Sequence, residues 1–127
     1  RSQIDYGTFY PIQAGAVAAL NGPQDIVMRN RKGYMARRDA LCGGLRSIGW
    51  NVPDAQGTMF VWAKVPEGYA SSAEFALDLL EKTGVIVVPG SAFGRHGEGY
   101  VRMALVVPPE RMQEAVRRIA ESGILNR

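Results

Sequence analysis

Residues 84–107 read GVIVVPGSAFGRHGEGYVRMALVV, and this stretch decides the fold. Two runs rich in β-branched and apolar residues, 85–88 and 100–107, predict two strands. The first run is apolar without interruption, which predicts a strand that is buried on both of its faces. Between the runs lies a loop over residues 91–99, in which closely spaced glycines would let the backbone approach a ligand.

The segments on either side of this stretch predict further elements of a small α+β layer. Residues 58–63 are rich in strand formers and predict a third strand. The Ser-x-x-Glu spacing at Ser71 is that of a capping box, which predicts a helix that ends at Gly84. Its apolar face is predicted to comprise Phe75, Ala76, Leu79 and Leu80. Apolar residues at helical spacing from Met112 onward predict a last helix that ends at Gly123.

The N-terminal part of the sequence predicts two helices. A run of small residues, 13–20, predicts a short helix that stops at Asn21-Gly22. Pro23 suits the first turn of a second helix, which is predicted to extend to Ile48. The apolar residues of the second helix form one thin stripe, which comprises Val27, Tyr34, Leu41, Leu45 and Ile48. A long helix with so narrow an apolar seam is expected to lie across a surface and to bridge two bodies.

Together these elements predict an α+β fold in which a long connecting helix is followed by a small sheet packed with helices. The 127 residues are 46% hydrophobic and 21% charged, so the chain has enough apolar residues for a compact core. No apolar run approaches the roughly 18 residues that a membrane span needs. A single cysteine and a single histidine provide neither a disulfide framework nor a zinc-ligand set. The composition therefore predicts a cytoplasmic protein without a membrane segment.

The charge pattern does not by itself identify a partner, because the formal net charge is only +3. The densest group of basic residues comprises Arg29, Arg31, Lys32, Arg37 and Arg38. A solvated helix face explains this basic cluster as well as a polyanion-binding site does, and the solvated face is the more common arrangement.

Arg102 has the clearest chemical significance, because it is the only charge in the apolar run 100–107. A guanidinium cannot lose its proton, so its burial requires an anionic partner, ideally a carboxylate held by two parallel N–H bonds. A ligand that carries a carboxylate would satisfy this requirement. Two structural alternatives are an internal salt bridge, for example to Glu98, and a position at a sheet edge where Arg102 reaches water.

Other catalytic arrangements have little support in the sequence. The glycine-rich loop lacks both the GxGxxG spacing and the Lys-Ser/Thr pair of a phosphate-binding loop. Ser91 has no nearby His/Asp pair, which argues against a hydrolase triad. His96 is expected to face solvent rather than to act as an acid–base catalyst. Cys42 adjoins two glycines on a predicted helix and is expected to pack against a neighbouring element rather than to act as a nucleophile.

Several segments, in order and spacing, resemble the class I and II aminotransferases, which are pyridoxal-phosphate enzymes of fold type I. They are residues 2–13 (SQIDYGTFYPIQ), 18–24 (AALNGPQ), 56–66 (QGTMFVWAKVP), 84–94 (GVIVVPGSAFG) and 97–105 (GEGYVRMAL). The IDYGTFYPIQ region is similar to the branch that contains LL-diaminopimelate, alanine and aspartate aminotransferases, and the resemblance is to this branch as a whole.

The resemblance implies the C-terminal portion of such an enzyme, divided into three parts. Residues 1–22 would end the large cofactor-binding domain, residues 23–49 would form the connecting helix, and residues 50–127 would form the small domain. The Schiff-base lysine of the family follows a serine-rich turn upstream of the region matched here, and this chain's lysines, which are Lys32, Lys64 and Lys82, lack that setting. The chain is therefore expected to hold neither a catalytic nor a cofactor-binding residue, and to be inactive alone.

The resemblance also implies roles for particular residues. Arg102 would bind the α-carboxylate of the amino-acid and 2-oxo-acid substrates, and Phe93 and Gly94 would lie at the mouth of the active site. Tyr6 and Phe9 would contribute from one subunit of a homodimer to the site of its neighbour, since aromatic residues in a short loop are typical of an interface. No metal, nucleic acid or membrane is implied.

The alternative hypothesis is a free-standing, non-catalytic α+β module. It would use Arg102 to bind a small carboxylate, or the basic cluster to bind nucleic acid. The nucleic-acid version predicts aromatic residues on one sheet face. Phe60 and Trp62 do share a face of their predicted strand, but the sequence is equally consistent with their lying in the core.

Overall fold

The structure is a computed structural model that describes residues 7–126. The chain consists of two compact units, Arg1–Lys32 and Gly33–Arg127. The boundary between the units falls inside the long second helix. No helix within the described range is both long and apolar enough to cross a membrane.

The first helix, α1, spans Tyr10–Asn21. The sequence predicted its C-terminal end correctly, because Gly22 follows it and the Gly22 N–H donates a hydrogen bond to the carbonyl of Ala18 at 2.9 Å. The helix begins three residues before the predicted start, since Pro11 is accommodated in its first turn. Every residue of α1 is exposed, including large apolar side chains such as Leu20.

The second helix, α2, spans Asp25–Ser47 and confirms the predicted long helix. Its apolar stripe is buried only in the C-terminal half, where Leu41, Cys42 and Leu45 enter the core, whereas Val27 is exposed. Gly44 lets this half pack closely, because a Cβ at Gly44 would lie 2.8 Å from a methyl carbon of Val116.

Three strands form one antiparallel sheet: β1 (Phe60–Lys64), β2 (Val88–Pro89) and β3 (Tyr100–Ala104). The strand order is β1-β3-β2, so β3 is the central strand. Arg102 on β3 lies opposite Trp62 on β1 and opposite Val88 on β2. The predicted α+β fold, with a long helix followed by a small sheet packed with helices, is therefore confirmed.

The prediction of a strand over 85–88 that is buried on both faces is wrong. Only Val88 of this run lies in a strand, Ile86 is 79% exposed, and Val87 is buried. The Val85 N–H bonds the Thr83 hydroxyl at 3.1 Å rather than a neighbouring strand. A short apolar run does not by itself reveal how many partners it has, and this one forms an edge strand with a single neighbour.

The strand predicted over 100–107 ends at Ala104. Its partner β1 begins at Phe60, which pairs with Ala104, and one further hydrogen bond joins the Leu105 N–H to the Met59 carbonyl at 2.8 Å. Beyond this point Val106 and Val107 are exposed. The end of the partner strand, rather than the local sequence, sets the end of β3.

Two more helices, α3 (Ser72–Thr83) and α4 (Pro109–Ser122), pack on each other, and α3 also packs on β2 and β3. The predicted cap is present: the Ser71 hydroxyl accepts from the Glu74 N–H at 3.1 Å, while the Glu74 carboxylate accepts from the Ala70 N–H at 3.0 Å. Leu80 is exposed, so the predicted apolar face of α3 is one residue too wide. Buried residues of these helices and of the C-terminal half of α2 form one hydrophobic core with the buried residues of β1 and β3.

Candidate functional site

One face of the sheet carries aromatic residues around Arg102. The alternation along β1 and β3 buries Val61, Ala63, Val101 and Met103 in the core. The opposite side of these strands presents Phe60, Trp62, Tyr100 and Arg102, which we call the open sheet face. Trp62 is 40% exposed, and Phe60 and Arg102 are half-buried. The backbone register of the central strand therefore places Arg102 in the middle of this face.

Two phenyl rings contact the guanidinium of Arg102. Its Cζ lies 4.2 Å from the ring centroid of Phe60 and 4.5 Å from that of Phe93. The negative face of a phenyl ring attracts a cation. The rings compete for no N–H donor in the guanidinium plane, so those donors stay available to an anion.

A further aromatic contact holds Phe93 from the side. The Trp62 ring meets the Phe93 ring edge to face at a centroid separation of 5.7 Å, and its own face stacks on Tyr100 at 5.7 Å. Phe93 comes from the loop between β2 and β3, whereas Trp62 and Tyr100 belong to the sheet. The aromatic residues thus join the loop to the sheet beside the charge.

Neither structural alternative for Arg102 is observed. Glu98 bonds to Ser72 and Gly99 rather than to Arg102, and β3 is the central strand rather than an edge. Within residues 7–126, the Arg102 side chain forms no hydrogen bond and no ion pair. The half-buried guanidinium is therefore in contact with the rings of Phe60 and Phe93, and its N–H donors remain available to a carboxylate ligand.

The glycine-rich loop, predicted as a plain loop, consists of two 3-10 turns, Gly90–Phe93 and Arg95–Gly97. Gly94 between them has φ +102°, a conformation that favours glycine. The backbones of Gly90 and Gly97 touch, because a Cβ on either residue would overlap the carbonyl oxygen of the other. This close contact folds the loop back on itself and places the Phe93 ring over Arg102.

Glu98 closes the loop through contacts with the first residue of α3. Its carboxylate accepts hydrogen bonds from the Ser72 N–H at 2.6 Å, from the Ser72 hydroxyl at 3.1 Å and from the Gly99 N–H at 2.9 Å. The Ser72 N–H, and after it the Gly99 N–H, lower the pKa of Glu98 because they stabilise its charged form. Glu98 is therefore held as a carboxylate by the N-terminus of α3.

The structure places the other sequence-predicted site residues as follows. Gly94 adjoins Phe93 in the loop, beside the open sheet face. Phe9 belongs to the N-terminal unit, where it precedes α1 and is 70% exposed. Tyr6 lies outside the described residues.

The basic cluster is only partly a free surface. Arg37 donates to the Leu105 carbonyl at 3.4 Å and lies over the Tyr34 ring. Arg38 forms an ion pair with Asp39 at 2.6 Å, and this hydrogen-bonded carboxylate raises the pKa of Arg38. Two of the five basic residues thus have partners within the fold, which weakens the case for a nucleic-acid site.

The three lysines of the chain belong to three different elements, and each of them is exposed. Lys82 pairs with Asp78 at 3.0 Å on the surface of α3, Lys64 lies at the end of β1, and Lys32 lies on α2. Among residues 7–126, no group of three or more His, Cys, Asp or Glu side chains could hold a metal ion.

Cys42 has the structural role that the sequence predicts. It is fully buried, and its Sγ lies 3.7 Å from the Pro53 carbonyl. Burial raises the pKa of its thiol, which disfavours the nucleophilic thiolate. His96 is exposed and contacts Arg95, as expected of a solvent-facing loop residue.

Sequence reasoning missed part of the site. The alternation of β1 put Phe60 and Trp62 on one face, but only the observed register identifies that face as the one that carries Arg102. The contact between Glu98 and Ser72 joins residues 26 positions apart, and no local pattern announces it. The spacing of glycines was the only available signal that the loop is tightly folded.

The chain is similar to known aminotransferases along most of its length. It is 47% identical over 124 residues to the LL-diaminopimelate aminotransferase of Halothermothrix orenii, and the match covers 98% of this chain and 32% of that protein. It is 46% identical over 121 residues to the glutamate-pyruvate aminotransferase AlaC of Escherichia coli, covering 94% of this chain and 29% of that protein. The chain thus spans about a third of the length of these relatives.

A solved structure agrees with these sequence matches. The alanine aminotransferase from Pyrococcus furiosus superposes with a TM-score of 0.81 at 31% identity, over 92% of this chain and 30% of that one. Residues 6–119 match the family described as aminotransferase class I and II. The resemblance drawn from the sequence is confirmed, and the chain belongs to the class I and II aminotransferase family.

Proposed function

We propose that the chain is the C-terminal part of a pyridoxal-phosphate-dependent aminotransferase, and that Arg102 binds the α-carboxylate of its substrates. The whole enzyme would transfer an amino group between an α-amino acid and a 2-oxo acid. The observation that carries this proposal is an arginine in the middle of a sheet, in contact with two phenyl rings and without an anionic partner among the described residues. The family to which the chain belongs supports the reaction class.

The geometry of Arg102 suits a carboxylate. The rings of Phe60 and Phe93 contact the guanidinium without using its N–H donors, and a carboxylate that lies in the guanidinium plane can accept two parallel N–H bonds. Arg102 would therefore hold one end of the substrate in a fixed orientation, so that the amino group at its Cα points in a defined direction.

The remainder of the active site would belong to the part of the enzyme that this chain does not include. Pyridoxal phosphate supplies an electron sink when it is bound. Its lysine and phosphate ligands are proposed to lie in the large domain, whose end would be residues 1–22. Residues 23–49 would connect it to a small domain of residues 50–127, and this chain alone would be inactive.

The assembly and location of the enzyme are further parts of the proposal. Tyr6 and Phe9 would reach the active site of the neighbouring subunit of a homodimer, and Gly94 would lie with Phe93 at the mouth of the site. The 70% exposure of Phe9 in the described unit supports a role in an interface. The single, buried cysteine is compatible with the reducing conditions of the cytoplasm, where we expect the enzyme to act.

Replacement of Arg102 by Ala in the full-length enzyme tests the carboxylate assignment. We expect kcat/KM for an amino acid such as alanine to fall by about 30-fold to several-thousand-fold, because a desolvated charge pair is lost. The value for ethylamine, which lacks the carboxylate, should change little. Arg102→Lys should restore only part of the preference for the acid, since an ammonium does not match two coplanar oxygens.

Arg111→Ala provides the matched control, because Arg111 is an exposed arginine on α4 away from the open sheet face. It should leave both rates unchanged. If Arg102→Ala keeps the wild-type ratio between alanine and ethylamine, Arg102 does not bind the carboxylate. In that case a lower melting temperature with an unchanged ratio would assign Arg102 a structural role.

A further inference from the structure

The loop over residues 90–99 is held at both ends by one residue of α3. At its C-terminal end, Glu98 accepts hydrogen bonds from the backbone and the hydroxyl of Ser72. At its N-terminal end, the Ser91 N–H donates to the same hydroxyl at 3.4 Å, and the two serine hydroxyl oxygens are 3.3 Å apart. Ser72 is fully buried, so its position is fixed by the core.

The segment between these ends has little freedom to move separately. The backbones of Gly90 and Gly97 are in direct contact, and hydrogen bonds join the Gly94 N–H to Ser91 and the Gly97 N–H to Gly94, at 3.1 and 2.9 Å. A change at the Glu98 end is therefore transmitted through the backbone to the turn that carries Phe93. The group that such a change would displace is the Phe93 ring, which contacts the guanidinium of Arg102.

We propose that Glu98 is a positioning residue for the carboxylate-binding site, acting on Arg102 through the loop and Phe93. The proposal rests on the role proposed for Arg102 and adds a residue that does not touch the substrate. Glu98 bonds to Ser72 and Gly99 and has no bond to Arg102. Its effect is therefore on the orientation of the guanidinium plane rather than on the charge that the substrate meets.

Glu98→Gln in the full-length enzyme is the experiment, since it removes the charge while retaining the size of the side chain. An amide has one acceptor oxygen, so it does not reproduce acceptance from three donors on two oxygens. We expect the ratio of kcat/KM for alanine to that for ethylamine to fall on the order of tenfold, because small displacements of a binding group are costly. KM for alanine should rise more than kcat falls.

Two further variants keep the test decisive. Ser72→Ala removes the hydroxyl that both ends of the loop contact, and it should lower the ratio of kcat/KM for alanine to that for ethylamine. This variant provides the test if Glu98→Gln does not yield folded enzyme. Glu110→Gln is the matched control, since Glu110 is an exposed glutamate in the first turn of α4. It makes the same charge change away from the loop and should leave the ratio at the wild-type value.

The outcomes separate this proposal from the one on which it rests. If Arg102→Ala lowers the acid-to-amine ratio and both Glu98→Gln and Ser72→Ala keep it, the positioning role is wrong and the role of Arg102 stands. If Glu98→Gln lowers kcat/KM for alanine and for ethylamine by the same factor, Glu98 has a purely structural role and the positioning role is wrong. If Arg102→Ala itself keeps the ratio, both proposals are overturned.

Discussion

Arg102 shows how a protein can hold a half-buried charge without an ion-pair partner among the described residues. Removing an ion from water completely costs several kcal/mol even after relaxation of the protein, and partial burial costs less. Two cation–π contacts return on the order of 1–4 kcal/mol together. The rings of Phe60 and Phe93 therefore offset part of the cost, and in the proposed enzyme a bound carboxylate would offset more. A glutamate side chain in place of one of these rings would form an ion pair with Arg102. That ion pair would compete with a substrate carboxylate for the N–H donors of the guanidinium.

Glu98 makes stability depend on pH in a direction that follows from its environment. Because the Ser72 and Gly99 N–H groups lower its pKa in the folded chain, its stabilising effect is complete above the pKa of the unfolded state. The effect is lost as the pH falls through the lower, folded-state pKa. We expect Glu98→Gln to lower the urea midpoint of the chain near neutral pH, and the difference from wild type to shrink between about pH 5 and pH 3.

The comparison with wild type isolates this residue from the other acidic groups. Arg118 and Arg117 lower the pKa of Glu114 through hydrogen bonds, so the chain as a whole also loses stability in acid. That loss is common to wild type and variant. A difference in urea midpoint that stays constant down to about pH 3 would contradict the assignment to Glu98.

At the scale of elements, the sequence predicted best what local contacts determine. The ends of α1, α3 and α4 were found because Gly22, Gly84 and Gly123 follow them directly, and the start of α3 was found from its cap. The strands were predicted less well. Whether residues 85–88 form a buried or an edge strand depends on partners that are distant in the chain.

The cap of α3 also carries a prediction. Ser71→Ala removes the hydroxyl that accepts from the Glu74 N–H, and it should destabilise the chain by about 1 kcal/mol. Ser71→Asp, which retains an acceptor, should restore most of the loss. Thermal unfolding of the three proteins measures the effect. Equal midpoints for wild type and Ser71→Ala would mean that the carboxylates of Glu74 and Glu98 suffice at this helix end.

At the scale of the whole molecule, the N-terminal unit is the part least explained by its own contacts. Every residue of α1 is exposed. The helix carries large apolar side chains, including Tyr10, Ile12 and Leu20, which the surfaces of monomeric proteins rarely expose together. Composition predicted a core, but it did not predict that, within residues 7–126, every buried apolar residue belongs to the second unit.

Phe9 tests the proposed dimer. In the full-length enzyme, Phe9→Ala should weaken subunit association by about fivefold or more, because truncation of an aromatic that anchors an interface costs about 1 kcal/mol or more. Sedimentation of the enzyme over a concentration series measures the change. Leu77→Ala, at an exposed apolar position on α3, is the control and should leave association unchanged. Unaltered association and activity in Phe9→Ala would remove Phe9 from the interface.

The placement of the two tryptophans makes the site observable by fluorescence. Trp50 is buried, packs against Phe75 and donates its indole N–H to the Lys64 carbonyl at 2.8 Å. Trp62 stands on the open sheet face, against Phe93 and Tyr100. A carboxylate bound to Arg102 as proposed would alter the surroundings of Trp62 and leave those of Trp50 unchanged. In a Trp50→Phe background, the emission of Trp62 would therefore report ligand occupancy directly, without any turnover of substrate.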